Sequence, residues 1–164
     1  MLCHHGTDHE TKKRILRTDF TYSHDGWFGR GIYLFQDNYN LAKEWAIKRH
    51  NGKITDVIEC EVEFNEDEYV DMTNPENDDT KEFHILRDNE LDRILNENDL
   101  KVISDDKFEL DKIVIRLLVE SNIKLFKFST YTHNIDDGEY NISSRVPNGI
   151  EVVINDKKLI KSKV

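Results

Sequence analysis

The chain has 164 residues, of which 37% are hydrophobic, 34% charged and 10% aromatic, and its net charge is −10. This length suits one domain, and the aromatic content excludes a wholly disordered chain. Two cysteines, Cys3 and Cys60, are too few for a disulfide framework or a cysteine-built zinc site. No apolar run matches a signal peptide or a membrane span. We therefore expect a single domain over residues 1–164, cytoplasmic and without membrane contact.

Strand-like and helix-like patterns alternate along the chain. Strands are predicted over 1–5, 31–35, 54–64, 122–132 and 150–154, and helices over 38–50, 82–96 and 108–120. A capping residue followed by proline at 73–76 predicts a helix start, and a basic amphipathic piece occupies 11–17. The last residues are polar and basic. Helices inserted between strands predict an α+β fold.

Most of the negative charge lies in one segment, residues 66–111, which holds 17 acidic and 5 basic residues. We expect an acidic helical insertion there. Solubility alone explains such a segment, and a docking surface for a basic partner is the alternative. The same excess of acid argues against broad binding of nucleic acid, although Lys12, Lys13, Arg14, Arg17 and Arg30 leave room for a local basic cleft.

Three short motifs occur in order along the chain. The first ends in His5-Gly6-Thr7, the second is Phe28-Gly29-Arg30-Gly31-Ile32-Tyr33 with a following helix that carries Trp45, and the third is Asn148-Gly149-Ile150-Glu151. This ordered set resembles the His-Tyr-Glu class of ADP-ribosyltransferases and is most similar to small bacterial PARP-like domains. The resemblance covers residues 1–64 and 147–159, and residues 65–145 match nothing we can name.

The resemblance implies a fold and a set of roles. The class folds as two packed antiparallel sheets around an NAD cleft. His5 would bond a ribose hydroxyl of NAD, the backbone of Gly6 would approach the carboxamide, and Thr7 would hold the turn. Tyr33 would stack on the nicotinamide ring, and Gly29 and Gly31 would let the chain turn beside it. His5, Tyr33 and Glu151 would be the catalytic residues.

The implied reaction is cleavage of the bond between nicotinamide and ribose. Glu151 would bond the ribose 2′-hydroxyl and stabilise the positive charge that develops at the anomeric carbon. Leu41 stands where PARPs commonly carry a serine, and Trp45, one place on from the usual second tyrosine, would supply the other wall of the ring pocket. Gly149 stands where arginine-specific members need an acid, which disfavours arginine as acceptor.

Several alternatives stay open from the sequence. The acceptor is protein, DNA or RNA. The alternatives to a transferase are an NAD glycohydrolase and a degenerate module that holds NAD, ADP-ribose or a partner without turnover. The intact His5, Tyr33 and Glu151 favour an enzyme over such a module. RNA 2′-phosphotransferases share a similar first motif, but their basic signatures are not visible here. No metal is expected, because Gly6 interrupts the His5–His9 spacing and no His-Glu-x-x-His motif is present.

The class also suggests a biological setting. Small transferases of this type often act as toxins in toxin–antitoxin or phage-defence systems, which is a family-level analogy. An antitoxin or chaperone would then be a partner for the acidic segment.

Overall fold

The computed structural model describes residues 1–97, 106–133, 135–140 and 142–164. Its strands are β1 (Leu2–Asp8), β2 (Ser23–Gly26), β3 (Gly29–Gln36), β4 (Thr55–Val62), β5 (Tyr69–Met72), β6 (Leu125–Thr130), β7 (Gly149–Ile154) and β8 (Ile160–Lys163). Its helices are α1 (His9–Arg17), α2 (Tyr39–Arg49), α3 (Asp78–Asn96), α4 (Glu109–Glu120) and α5 (Ile135–Tyr140). The predicted α+β class is confirmed.

One hydrogen-bonded path joins the strands in the order β5-β6-β7-β3-β1-β4-β8, and β2 pairs with β3 off this path. All pairings along the path are antiparallel except β5–β6, which is parallel. The arrangement therefore differs from the expected pair of wholly antiparallel sheets. The β1–β3 ladder is short and covers only two residue pairs, whereas β1 and β4 pair over seven. The strand path is therefore nearly divided in two between β1 and β3.

The two faces of the sheet are buried by different elements. On one face, Leu34, Ile58 and Val152 form the main core with Ile15 of α1 and Phe20 of the following loop. On the other face, α2 packs Leu41, Ala42 and Trp45 against Phe35 and Val57. The helices α3 and α4 cover the aromatic residues of β6. Burial of these apolar faces is what holds the helices in place.

Local capping explains where the helices begin. Asn38 precedes α2 and accepts the backbone N–H of Leu41 at 3.0 Å, as the predicted boundary at residue 38 requires. The helix start predicted at 73–76 is wrong, because the side chain of Asn74 closes a turn by accepting the N–H of Glu76. The helix α3 begins at Asp78, after the cap Asn77.

Some elements were not expected from the sequence, notably β2, β5, β8 and α5. The strand β8 is rich in lysine and lies at the end of the path, where one edge faces solvent, so it lacks the apolar alternation by which strands are recognised. Among the helices in the described ranges, none combines the length and the apolar character that a membrane crossing requires.

Candidate functional site

A cavity of about 280 Å³ opens where β1 and β3 separate. After the pair His4–Phe35, β1 continues along β4 while β3 continues along β7. Six of the eight residues expected from the sequence line this cavity, all but Thr7 and Gly29: His5, Gly6, Gly31, Tyr33, Trp45 and Glu151. The opening of the sheet therefore brings residues from both ends of the chain to one place.

His5 is tied to β3 by its ring. Its Nδ1 lies 2.9 Å from the backbone carbonyl oxygen of Tyr33, and its ring meets Phe20 edge-on at 5.2 Å. Burial lowers the pKa of His5 below its usual value, so the ring is neutral at pH 7. Because a carbonyl oxygen only accepts, Nδ1 carries the proton and Nε2 is left as an acceptor.

The structure shows why position 6 must be glycine, which the sequence did not reveal. A Cβ built on Gly6 would lie 1.9 Å from the carbonyl oxygen of Ala42, so only glycine lets α2 pack against β1. Glycine is therefore required at position 6 by close contact with a helix of the protein itself.

The backbone of Gly6 nevertheless faces the cavity. Met1 exchanges both of its backbone hydrogen bonds with Val62 of β4, whereas Leu2 accepts the N–H of Asp37 on the β3 side. Since alternate residues of an antiparallel strand bond to opposite neighbours, the even-numbered residues of β1 point away from β4. The N–H and C=O of Gly6 are thus directed into the gap between β1 and β3.

Thr7 does not take the place expected for it. It is buried in the next-to-last residue pair of the β1–β4 ladder, opposite Asp56, and does not line the cavity. The turn comes after Asp8, which caps α1 by accepting the N–H of Thr11 at 3.1 Å. The expected role of Thr7 in holding the turn is therefore wrong, because β1 is longer than its apolar pattern suggested.

Tyr33 stands beside the cavity in a fixed orientation. Its hydroxyl donates to the carbonyl oxygen of Gly29 at 2.6 Å and accepts the N–H of Phe28 at 3.2 Å, and burial raises its pKa. A Cβ on Gly26 would lie 1.9 Å from the hydroxyl oxygen, so the ring covers Gly26. These contacts hold the ring of Tyr33 against the turn that joins β2 to β3.

The two glycines of the second motif act differently. Gly29 has a φ of +82°, which L residues rarely adopt, and it lets the chain turn from β2 into β3, although it lines neither cavity. Gly31 lies in a regular strand, and a Cβ there would lie 2.4 Å from Cγ1 of Val153 on β7. The expected turn at Gly31 is therefore wrong, and glycine is needed there for close packing of β3 on β7.

Glu151 lies opposite Phe35 in the β3–β7 ladder and is half-buried. Burial raises its pKa to about 7. Within the described part of the chain, no residue forms a hydrogen bond or an ion pair with its carboxylate. A carboxylate with a raised pKa at the wall of a cavity is a candidate functional group.

A second cavity of about 560 Å³ adjoins the first. Both are lined by Trp27, Trp45, Arg49 and Glu151. The second cavity extends to the end of β6, where residues 129–133 form its other wall. Sequence reasoning missed these residues and the cations Lys48 and Arg49, since no motif marks them.

Other titratable groups lie apart from the cavities. Cys3 and Cys60 face one another in the β1–β4 ladder as free, buried thiols, and burial raises the pKa of each to about 12. Over the described ranges, no group of three or more histidine, cysteine or acidic side chains is placed to hold a metal ion.

The chain was compared with protein-family models, with curated proteins and with solved structures, and none of the three comparisons gives a match.

Proposed function

We propose that this chain is an NAD-dependent ADP-ribosyltransferase, which cleaves nicotinamide from NAD and transfers ADP-ribose to a macromolecular acceptor. The observation that carries the proposal is Glu151, a half-buried carboxylate without a described partner, beside Tyr33 at the opening between β1 and β3. The fold proposed with it is the split pair of sheets of that class, and the short β1–β3 ladder supports this reading.

The residues around the first cavity suit the parts of NAD. The free Nε2 of His5 accepts a hydrogen bond from a ribose hydroxyl, and the N–H and C=O of Gly6 offer a donor and an acceptor to the carboxamide. Tyr33 and Trp45 provide aromatic walls for the pyridinium ring. The volume of the first cavity is near the lower end of small-molecule sites, so the adenosine part extends beyond it.

Glu151 supplies the electrostatics of bond cleavage. The anomeric carbon gains positive charge as nicotinamide leaves, and an ionised carboxylate nearby stabilises this charge more in the transition state than in the ground state. Because burial raises its pKa to about 7, the carboxylate of Glu151 is incompletely ionised at neutral pH.

The test is release of nicotinamide from NAD by the purified chain, in buffer alone and with a cell lysate, followed by labelled ADP-ribose. Stimulation by lysate with label on a macromolecule supports a transferase. Equal release in buffer, without labelled macromolecule, would instead identify an NAD glycohydrolase, and binding of NAD without release would identify a non-catalytic module.

A role as an intracellular toxin or phage-defence effector rests on the same proposal. Expression of the active chain in bacteria should arrest growth, and expression of Glu151→Gln should not. Normal growth with the active chain, at a level where nicotinamide release is detected in the cells, would contradict the toxin role. An antitoxin would be found as a protein that restores growth and co-purifies with the chain.

A further inference from the structure

The second cavity places a distinct set of side chains on the other side of Glu151. It shares that carboxylate with the first cavity, but it alone contains Lys48 and the residues that follow β6. A group bound there lies next to the carboxylate that serves bond cleavage in the proposed function. The second cavity is therefore positioned to hold the acceptor.

The charge of this cavity opposes that of the whole molecule. Lys48 and Arg49 are exposed in the last turn of α2, and neither makes an ion pair or a side-chain hydrogen bond with any residue that the structure describes. Glu151 is the one acidic residue among those lining the cavity. In a chain with a net charge of −10, this is a local site for an anionic group.

Aromatic rings line the same cavity. The indole of Trp27 is 62% exposed and leans on Phe108 at 4.9 Å, which leaves much of its surface open to solvent. Trp45 and Tyr131 line the same space. Exposed aromatic rings next to cations are the usual platform for single-stranded nucleic acid, because each base can stack on them.

Resting on the function proposed above, we propose that the second cavity takes a base of single-stranded nucleic acid as the ADP-ribose acceptor, with neighbouring phosphates bound by Lys48 and Arg49. A carboxylate side chain of a protein acceptor would satisfy the cations but would leave most of the volume and the aromatic walls unused. A paired base is disfavoured, because it would first have to leave the duplex stack, which costs energy.

The transfer balances without a further reactant. The bond between the anomeric carbon and nicotinamide breaks, and nicotinamide leaves as a neutral molecule with the electron pair. A ring or exocyclic nitrogen of the base forms the new bond to that carbon, and its proton passes to the carboxylate of Glu151 and then to water. The products are the modified base, nicotinamide and a proton.

The test uses the full chain, labelled NAD and single-stranded DNA and RNA oligonucleotides of each base, with duplexes of the same sequences. Two charge reversals on α2 form a matched pair. Lys48→Glu alters the second cavity, whereas Lys43→Glu alters an exposed lysine that lines neither cavity. The measurement is the ratio of label on the oligonucleotide to nicotinamide released, at several salt concentrations.

We expect label on a single strand and little on its duplex. Lys48→Glu should lower the ratio about tenfold and make it fall less steeply with salt concentration, because one phosphate contact is lost. Lys43→Glu should leave both unchanged. Equal losses in the two variants would overturn the cavity assignment, because a general charge effect would then explain the result.

Two results separate this inference from the proposed function. Nicotinamide release with label found only on protein would overturn the nucleic-acid acceptor and leave the transferase intact. No release of nicotinamide under any of these conditions would overturn both.

Discussion

Nδ1 of His5 lies 2.9 Å from the carbonyl oxygen of Tyr33 and so joins β1 to β3 just beyond the last residue pair of their ladder. The contact fixes the tautomer of the histidine and orients its other nitrogen. It also shows that the first and second of the three motifs recognised in the sequence are in direct contact through one hydrogen bond.

Glu151→Gln keeps the shape of the side chain and removes its charge. We expect nicotinamide release to fall by about 10²–10³, equivalent to about 3–4 kcal/mol, the size of one lost electrostatic contact in a preorganised site. NAD affinity should change little, as measured by calorimetry. Release at the wild-type rate in a folded variant would show that Glu151 is not the catalytic carboxylate.

The raised pKa of Glu151 predicts the pH dependence of both activity and stability. Nicotinamide release should rise with pH and level off above about 7. The folded protein binds this proton more tightly than the unfolded chain does, so the group lowers stability as pH rises from about 4.3 to about 7.

Replacing the carboxyl of Glu151 with a neutral group should therefore remove this loss of stability at high pH. At pH 8, Glu151→Gln should unfold less readily than the wild type by about 1–3 kcal/mol, and at pH 4 the two should be equal. Denaturant unfolding at the two pH values measures this difference. An equal difference at both pH values would mean that burial does not shift the pKa of Glu151.

Gly6→Ala places a methyl group against the backbone of α2. Because the nearest atom is a carbonyl oxygen at 1.9 Å, α2 must move, and we expect a loss of about 3 kcal/mol or more in thermal unfolding. Gly52→Ala is the matched control, since nothing lies within 4 Å of its added Cβ and only its positive φ opposes alanine. That control should lose about 1–2 kcal/mol, and equal losses would contradict the assigned contact.

Tyr33 is expected to combine a binding role with a structural one, and two variants separate them. Tyr33→Phe keeps the ring but removes the hydroxyl, so Phe28 N–H and the Gly29 carbonyl lose a partner and stability falls by about 1–2 kcal/mol. Tyr33→Ala also removes the ring and should weaken NAD binding by about 1–3 kcal/mol. Equal NAD affinity in folded samples of both variants would remove Tyr33 from the binding site.

The acidic residues of 66–111 divide into two groups. Glu66, Asp67 and Asp78 are exposed, and their reversal to lysine should change stability by less than about 1 kcal/mol and leave nicotinamide release intact. Glu68 instead forms an ion pair with Lys124, and this pairing lowers the pKa of Glu68. Glu68→Lys should therefore destabilise the protein more than the reversal of an exposed acid does. If the segment docks a basic partner, the exposed reversals should slow association with it.

Lost nicotinamide release in the folded triple variant would show that the segment shapes the active site. The segment does reach the cavities at one point, since its Phe108 packs on Trp27. Thermal unfolding of each variant provides the control for folding.

The local features of the sequence were enough to place the motifs on their elements. The β-rich run through Tyr33 forms a strand, the cap Asn38 starts α2, and Glu151 lies in the last predicted strand. These outcomes depend on side-chain alternation and on capping within a few residues, which are read directly from the order of amino acids. The resemblance to a family also rests on such short motifs, and it stays a prediction.

Only the tertiary structure decided how these elements meet. The sequence alone did not show that Gly6 contacts Ala42, that β1 and β3 separate after His4, or that Lys48 shares a cavity with residues that follow β6. It also did not show that Glu151 is buried enough to raise its pKa. Each of these depends on groups far apart along the chain, whose distance is set by packing of the whole sheet and its helices.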